Sequence, residues 1–324
     1  MASTRPKVFV TRSIAINSAF DRLKQRCDVT IHPDSGSISR PALLAGVRNT
    51  DALFCLLTEK IDSELLKAAG PNLKVIGTMS VGVDHIDVKA CQERGILLGN
   101  TPDVLTEATA ELTVALLLCT ARRLVEANKA VFDGGWSTWN PTWMLGQGVE
   151  GSTVGIVGLG RIGVSVAEKM KAFKACRILY YSRSEKPEAA KCGAELTSMD
   201  GLLSESDFVI LCCAYTPETH NLINADTLAK MKKTAILINT SRGGVVDQDA
   251  LYDALSSNRI RAAGLDVCTP EPIPANHKLL TLPNLVMLPH IGSATEVART
   301  GMAQLTVDNI LAGLDGKPLP CPVY

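Results

Sequence analysis

Three polar residues follow short apolar runs, and their side chains suit proton transfer and carboxylate binding. Arg242 follows AILINTS, Glu271 lies in DVCTPEP, and His290 ends LVMLPH. Imidazole exchanges a proton near neutral pH, and a carboxylate on its far nitrogen favours the charged, proton-donating form. A guanidinium can hold a substrate carboxylate and polarise a ketone. The three residues together predict reduction of a 2-oxo acid, with His290 as the acid, Glu271 as its partner and Arg242 as the cation.

Each residue alone has a simpler interpretation. A single histidine after a strand is more often structural, and an arginine in a glycine-rich turn is by default solvated. The combination favours chemistry because all three follow predicted strands of one sheet. Open parallel sheets bind ligands at the carboxyl ends of their strands.

A glycine motif earlier in the chain predicts a dinucleotide site. Gly158, Gly160 and Gly163 form G-x-G-x-x-G, with Arg161 and Ile162 between the last two, after an apolar strand and before an amphipathic helix. Glycines at these positions permit a tight turn, close backbone approach to a pyrophosphate and close helix–strand packing. The helix N-terminus then offers N–H groups to the phosphates.

The end of the next predicted strand indicates which dinucleotide is bound. NAD enzymes usually place Asp or Glu there to bind the ribose hydroxyls, whereas this chain has Ser182, Arg183 and Ser184. Arginine can form charge-assisted hydrogen bonds to a 2′-phosphate, and the two hydroxyls add donors. The sequence therefore predicts NADPH as the cofactor. The alternative is that Arg183 is solvated and Glu185 occupies the ribose position.

The elements that position these residues form two sets of short β-rich runs alternating with helical patterns. This alternation predicts two doubly wound parallel sheets, and the six runs of the second set match a dinucleotide-binding sheet. The first set comprises Lys7–Thr11, Ala52–Leu57, Leu73–Met79 and Ile96–Gly99. The second comprises Thr153–Gly158, Ile178–Ser182, Phe208–Cys213, Ala235–Thr240, Ala262–Val267 and Leu285–Pro289.

Helical patterns connect the two sets. Thr101–Val131 predicts a long connecting helix, and Ser293–Leu314 predicts a helix that returns the chain to the first set. We therefore expect a discontinuous first domain, residues 1–104 plus 291–324, with an NADP-binding domain inserted at residues 105–290.

An irregular segment, DGGWSTWNPTWMLGQG, holds all three tryptophans of the chain: Trp136, Trp139 and Trp143. Glycine and proline argue against a regular element here. The rings either pack on their own domain or dock on a partner subunit, since tryptophan anchors suit interfaces.

Composition limits the partners. Lys+Arg and Asp+Glu each total 33, so no global field favours nucleic acid or an anionic membrane. The ten cysteines include no C-x-x-C pair, which argues against a structural zinc site and for reduced thiols. No apolar run reaches the length of a membrane span or of a signal peptide. We expect a cytoplasmic protein without metal.

The chain resembles the D-isomer-specific 2-hydroxyacid dehydrogenases, and within them the glyoxylate/hydroxypyruvate reductases. The resemblance runs nearly end to end and is carried by motifs in the family's order: KVIGTMSVGVDHID, GLGRIG, INTSRGGVVD, AGLDVCTPEP and LPHIGSAT. It implies NADPH-dependent reduction of glyoxylate to glycolate or of hydroxypyruvate to D-glycerate. It also implies that Arg242, Glu271 and His290 are catalytic, in agreement with their chemistry.

The resemblance nominates further residues. It implies that the backbone N–H groups of Val81 and Gly82 bind the substrate carboxylate and that Leu57 lines the substrate pocket. Contacts with the cofactor are implied for Ala214, Thr240, Asp266 and Gly292. The resemblance also implies an active site between the two domains and a homodimer, in which Trp139 reaches the partner and its substrate pocket.

Other members of the family suggest different functions. A reductase for another 2-oxo acid stays open, whereas phosphoglycerate and formate dehydrogenases fit less well. We expect no extra regulatory domain, which disfavours phosphoglycerate dehydrogenase. The arginine-type cofactor site and the pairing of His290 with Glu271 suit reduction of a carbonyl, which disfavours formate dehydrogenase. A dinucleotide-sensing corepressor, a binding protein with the same fold, is not excluded by the catalytic residues.

Overall fold

The computed structural model describes residues 5–324, which divide into two compact units. The first unit contains the residues up to Leu105 together with Ala294–Tyr324, and the second contains Thr106–Ser293. Each unit is built on its own parallel sheet flanked by helices, so the predicted fold class is confirmed.

The elements follow one another in an alternating order. The first stretch of the chain contains β1 (Lys7–Val10), α1 (Asn17–Arg26), β2 (Asp28–Ile31), α2 (Arg40–Gly46), β3 (Ala52–Cys55), α3 (Ser63–Ala69), β4 (Val75–Thr78), α4 (Val88–Glu93) and β5 (Leu97–Gly99). The second unit contains α5 (Thr106–Ala121), α6 (Leu124–Phe132), β6 (Thr153–Val157), α7 (Arg161–Ala172), β7 (Arg177–Tyr181), α8 (Ala189–Cys192), β8 (Ala194–Leu196), α9 (Met199–Glu205), β9 (Phe208–Leu211), α10 (Ala225–Lys230), β10 (Ile236–Asn239), α11 (Gln248–Ser256), β11 (Ala262–Leu265) and β12 (Leu285–Met287). The last helix, α12 (Glu296–Leu314), belongs to the first unit.

The order of the strands indicates where a ligand should bind in the second sheet. The first sheet runs β2-β1-β3-β4-β5 and the second runs β12-β11-β10-β9-β6-β7-β8, with parallel pairing between neighbouring strands. In the second sheet the order reverses at β6 and β9, and ligands of doubly wound sheets bind at such a reversal. The glycine motif follows β6 directly.

The central strands are buried on both faces, as helices on each side of a parallel sheet require. Strands β3, β4, β9, β10 and β11 are buried along their whole lengths. In the first unit α12 lies close against β4. A Cβ on Gly77 would come within 2.9 Å of the Thr306 methyl group, and one on Gly313 within 2.7 Å of Val75. Glycine at both positions therefore allows the returning helix to approach the sheet.

Two strands were not predicted, and both lie at sheet edges. Strand β2 alternates exposed and half-buried residues, and β8 is half-buried or exposed throughout. Edge strands bury little surface, so they lack the continuous apolar run by which the central strands were recognised. The second sheet consequently has seven strands, and the prediction of six was wrong.

The connecting segment is not the single long helix predicted from Thr101. Helix α5 begins at Thr106, and the chain turns at Arg123, whose φ of 54° is left-handed, before α6. A left-handed residue ends an α-helix because the following N–H groups no longer face the preceding carbonyls. The Arg123 guanidinium binds Glu126 at 2.8 and 2.6 Å, which ties the turn to the start of α6.

Candidate active site

His290 and Glu271 form a close pair beyond the carboxyl ends of two adjacent strands. The His290 Nδ1 atom lies 2.8 Å from Glu271 Oε2, and both side chains are about one quarter to one third exposed. Because β11 and β12 are parallel neighbours, the segments after them emerge at the same edge of the sheet. With Nδ1 donating to the carboxylate, the Nε2 atom is the one available for proton exchange.

The surroundings of Glu271 keep it ionised. Burial by itself raises its pKa, but the hydrogen bond and charge of His290, the Cys268 N–H and the charge of Arg242 together lower the pKa below its usual value. The Cys268 N–H donates to Glu271 Oε1 at 3.0 Å, while Oε2 accepts from His290. Each carboxylate oxygen therefore has its own donor, which fixes the plane of the carboxylate.

Asp266 holds the backbone that carries His290. Its carbonyl accepts the His290 N–H at 2.8 Å, and its carboxylate oxygens accept the N–H groups of Ile291 and Gly292, each at 2.8 Å. His290 has a φ of 56°, a left-handed conformation that is uncommon for residues other than glycine. These three bonds stabilise that conformation and aim the imidazole toward Glu271.

Asp266 itself is 1% exposed. Burial raises the pKa of its carboxyl group, and the two backbone N–H groups and the charge of His290 oppose that rise only in part. The structure shows its carboxylate bound to the chain following β12. The sequence prediction that it contacts the cofactor remains a prediction.

A buried amide builds the turn that carries Arg242. Asn239, the last residue of β10, is fully buried and donates from Nδ2 to the Arg242 carbonyl at 2.8 Å. Its Oδ1 accepts the Ser241 N–H at 3.0 Å. The next residue, Gly243, lies so close to the Cys268 backbone that a Cβ would come within 2.1 Å. This contact keeps the arginine turn next to the turn that carries Glu271.

The glycine motif has the geometry that a dinucleotide requires. Gly158 has a φ of 94°, and Gly163 packs so closely that a Cβ would lie 2.4 Å from the Gly158 carbonyl oxygen. At Gly160, the N-cap of α7, a Cβ would meet no atom within 4 Å among the described residues. The backbone therefore faces open space at the N-terminus of a 12-residue helix, where a pyrophosphate fits. Arg161 and Ile162 form the first turn of this helix.

The predicted ribose-contacting residues lie just beyond β7. The Ser182 hydroxyl donates to the Ser184 carbonyl, which closes a tight turn around the exposed Arg183. Sequence reasoning missed a carboxylate near this turn. Hydrogen bonds to Thr216 and to its own backbone, with a smaller effect of the Arg183 charge, lower the pKa of Glu218. Arg183 therefore has an acidic neighbour from the segment after β9.

Two further residues nominated as cofactor contacts follow the central strands. Ala214 lies beyond β9 and is exposed, and Thr240 follows β10 and is half-buried. The Thr240 hydroxyl lies 2.8 Å from the hydroxyl of Thr113 on α5. Gly292 is buried against Asp266, where a Cβ would come within 3.2 Å of Oδ2.

In the first unit, the loop after β4 has backbone groups held in fixed directions. The Ser80 carbonyl accepts the Thr101 N–H at 2.9 Å, and the Val81 carbonyl accepts Asn100 Nδ2 at 2.8 Å. In a trans peptide the N–H points opposite to the carbonyl. The N–H groups of Val81 and Gly82 therefore both point away from these donors, which suits binding of an anion.

The loop after β3 carries Leu57, which is half-buried. The loop is held by Glu59, which is 3% exposed. Sequence reasoning missed this residue. The Glu59 carboxylate accepts the Leu56 N–H at 2.6 Å and the Thr11 hydroxyl at 2.9 Å. A buried carboxylate with several donors makes this loop rigid.

The tryptophan segment is exposed along most of its length. Trp139 is 78% exposed, and Phe132, the last residue of α6, is 83% exposed. The other exposed apolar side chains of α6 and the segment after it are Leu124, Val125, Val131, Trp136, Trp143 and Leu145. Such a set of apolar side chains is typical of an interaction surface.

Residues 5–324 contain neither a candidate metal site nor a candidate membrane-spanning helix. No cluster of three or more His, Cys, Asp or Glu side chains in that range has the arrangement of a metal site. None of the helices described there is both long and apolar enough to cross a membrane.

Comparison with known proteins decides the family. The model of the D-isomer specific 2-hydroxyacid dehydrogenase NAD-binding domain matches residues 114–292, more than half of the chain. The chain belongs to this family. The match includes the glycine motif, Arg242, Glu271 and His290, so the second unit contains the family's nicotinamide dinucleotide-binding domain.

Relatives within the family match along nearly the whole chain. The human glyoxylate reductase/hydroxypyruvate reductase is 51% identical over 97% of this chain and 96% of its own length. The glyoxylate reductase of Thermococcus kodakarensis is 50% identical over 98% of this chain and 95% of its own. An NADPH-dependent glyoxylate/hydroxypyruvate reductase from Sinorhizobium meliloti, solved with NADP and malonate, has a TM-score of 0.86 and 32% identity and covers 99% of this chain and 97% of its own.

Proposed function

We propose that this dehydrogenase reduces glyoxylate to glycolate and hydroxypyruvate to D-glycerate with NADPH. The observation that carries the proposal is the 2.8 Å pair of His290 and Glu271 at the carboxyl edge of the dinucleotide-binding sheet, with the charge of Arg242 acting on the same carboxylate. The relatives that match nearly end to end are glyoxylate or hydroxypyruvate reductases, which supports the choice of substrate.

The chemistry divides among the three side chains. A reduced nicotinamide dinucleotide, held at the glycine motif and the turn at Arg183, would supply a hydride to the substrate carbonyl carbon. As the carbonyl π electrons move onto oxygen, His290 Nε2 donates the proton that converts it to a hydroxyl. Glu271 accepts the Nδ1–H and stabilises the imidazolium before transfer. Arg242 binds the substrate carboxylate and draws electron density from the carbonyl.

The first unit is proposed to contribute binding groups rather than a proton. The oriented N–H groups of Val81 and Gly82 bind the substrate carboxylate, and Leu57 contacts the carbon beyond the carbonyl. Glyoxylate has no carbon at this position, so only hydroxypyruvate can make this contact with Leu57.

Steady-state oxidation of NADPH and NADH at 340 nm, with glyoxylate and hydroxypyruvate as separate substrates, tests the proposal. We expect turnover of both acids, with NADPH preferred. Turnover with a different 2-oxo acid alone would reassign the substrate. Cofactor binding without any turnover would instead favour the dinucleotide-sensing binding protein.

Arg183→Ala should raise the KM for NADPH by roughly tenfold or more and leave the KM for NADH nearly unchanged. The reason is the loss of a charge-assisted bond to the 2′-phosphate, a group that NADH lacks. Initial rates with each cofactor at saturating substrate measure both values.

Arg177→Ala is the matched control, because Arg177 is an exposed arginine at the other end of the same strand and pairs with Glu195 and Glu205. It should change neither cofactor KM. Equal losses with NADPH and NADH in Arg183→Ala would contradict the proposed 2′-phosphate contact.

We also propose a homodimer that buries the exposed apolar surface of α6 and the tryptophan segment. Trp139→Ala should weaken the dimer or raise the substrate KM, by about tenfold, because buried tryptophans are frequent energetic anchors of interfaces. Sedimentation equilibrium and steady-state kinetics measure the two effects. Phe173→Ala, at an exposed apolar residue after α7, is the control. If Trp139→Ala changed neither quantity, Trp139 would not belong to the interface.

A further inference from the structure

The loop that carries Glu271 is exposed, yet its carboxylate must be accurately placed. Thr269, Pro270 and Glu271 are exposed residues of the segment between β11 and β12. The bond from Cys268 N–H to Glu271 Oε1 lies within the loop, so it orients the side chain without fixing the loop to the rest of the unit. Gly243 packs against the Cys268 backbone from outside the loop, and a polar side chain makes a second contact one residue further on, at Thr269.

Gln248, the first residue of α11, provides this contact through both ends of its amide. Its Nε2 donates to the Thr269 carbonyl at 2.5 Å, and its Oε1 accepts the Thr269 N–H at 2.8 Å. A primary amide paired with both backbone groups of one residue fixes the position and orientation of that residue, as two bonds between strands do. The side chain of Gln248 is half-buried at the base of its helix.

The rest of this first turn of α11 is firmly held. Asp247 is the N-cap of the helix, and its carboxylate accepts the N–H groups of Asp249 and Ala250 at 3.0 and 3.1 Å. Gln248 therefore connects the exposed loop to a capped helix that packs in the core of the second unit through Leu251 and Leu255.

We infer that Gln248 is a positioning residue for proton transfer. It holds Thr269, and thereby the adjacent Cys268 N–H and Glu271 carboxylate, in the arrangement that stabilises protonated His290. The inference rests on the proposed function, in which His290 is the proton donor. Gln248 itself touches neither His290 nor Glu271 in the contacts that the structure shows, so its effect is transmitted through the loop.

Three charged groups act on His290 or on its partner Glu271, and the Cys268 thiol also lies beside Glu271. Glu271, on the loop held by Gln248, bonds to Nδ1 directly. Asp266, at the end of β11, acts on His290 through charge, and Arg242, after β10, acts on Glu271. Of these three groups, only Glu271 lies on the segment that Gln248 holds. Displacement of the loop therefore weakens the stabilisation of the imidazolium while leaving the other two groups in place.

Gln248→Met tests the inference because methionine keeps the length of the side chain and removes both hydrogen bonds. We expect kcat/KM for the 2-oxo acid to fall about 10-fold to 100-fold, the range that a small misplacement of a catalytic group produces. The acidic limb of the pH profile should also move to higher pH, because a displaced Glu271 loses the hydrogen bond and charge of His290 that help to lower its pKa. The KM for NADPH should stay within about twofold.

A readout independent of turnover is the NMR titration of the Glu271 carboxylate, whose signal is assigned by its absence in Glu271→Gln. Its midpoint should be higher in Gln248→Met than in the wild type, because the displaced carboxylate loses contacts that lower its pKa. Gln248→Glu keeps an acceptor for the Thr269 N–H and should recover part of the loss. Asp249→Asn, which removes an exposed ion pair with Lys278 at the next position of the helix, should behave as the wild type.

An unchanged pH profile, or an unchanged titration midpoint, in Gln248→Met would overturn the inference. Failure of the proposed function would look different, because the wild-type protein itself would then not turn over glyoxylate or hydroxypyruvate. In that case the Glu271 titration would still decide whether Gln248 positions Glu271.

Discussion

His290→Gln should lower kcat for reduction of the 2-oxo acid by about 100-fold to 10,000-fold, the range for loss of a positioned general acid. Glutamine keeps a polar side chain whose amide N–H can still donate to the Glu271 carboxylate. The variant therefore removes the exchangeable proton while disturbing the pair as little as possible. Single-turnover measurements with preformed NADPH complex separate the chemical step from product release.

Cofactor binding in His290→Gln should stay close to that of the wild type, because the glycine motif and the turn at Arg183 lie on other strands of the sheet. Fluorescence titration with NADPH measures this. His32→Gln, at a histidine after β2 that pairs with Asp34, controls for the general effect of replacing a histidine. Wild-type kcat in His290→Gln would remove His290 from the mechanism, whatever the fate of cofactor binding.

The proposed catalytic trio could be predicted from the sequence because each residue follows a strand of the same parallel sheet. Parallel strands bring their carboxyl ends to one edge, so strand order and residue chemistry together indicate a common site. The structure adds the 2.8 Å contact between His290 and Glu271 and the effect of Arg242 on the pKa of Glu271. The glycine motif could also be recognised from the sequence, because the positive φ of Gly158 and the close packing at Gly163 both require glycine.

The residues that hold the trio in place could not be recognised in this way. Asn239 and Gln248 act through hydrogen bonds to backbone groups of nearby turns, and their side chains resemble ordinary polar residues in the sequence. The Asp266 carboxylate accepts the N–H groups of Ile291 and Gly292, which lie 25 and 26 residues further along the chain. Such contacts depend on tertiary distances, which hydrophobic periodicity does not contain.

The fold was misjudged where local signals are weak. Strands β2 and β8 lie at sheet edges and bury little apolar surface, so no continuous apolar run marks them. The end of α5 has neither glycine nor proline, because Arg123 adopts the left-handed conformation itself and its bonds to Glu126 stabilise the turn. A break made by an arginine follows no common helix-stop signal.

Arg242→Ala should lower kcat/KM for the 2-oxo acid by about 100-fold to 1,000-fold, comparable to the loss of a preorganised donor at a developing negative charge. Arg242 is half-buried, Asn239 Nδ2 donates to its backbone carbonyl, and its guanidinium Nη1 donates to the Ser241 carbonyl at 2.9 Å. Most of the loss should appear in KM if Arg242 binds the substrate carboxylate, and in kcat if it mainly polarises the carbonyl. Guanidinium ion added to the assay should restore part of the activity.

The same variant has an expected pH dependence. The positive charge of Arg242 helps to lower the pKa of Glu271, so its removal should raise that pKa toward the ordinary value. Because Glu271 acts in its ionised form, the loss of activity on acidification should then begin at a higher pH than in the wild type. Arg261→Ala, at an exposed arginine at the start of β11, controls for the loss of an arginine. A normal kcat/KM together with an unmoved acid limb in Arg242→Ala would place Arg242 outside the reaction and leave the substrate carboxylate to the backbone N–H groups of Val81 and Gly82.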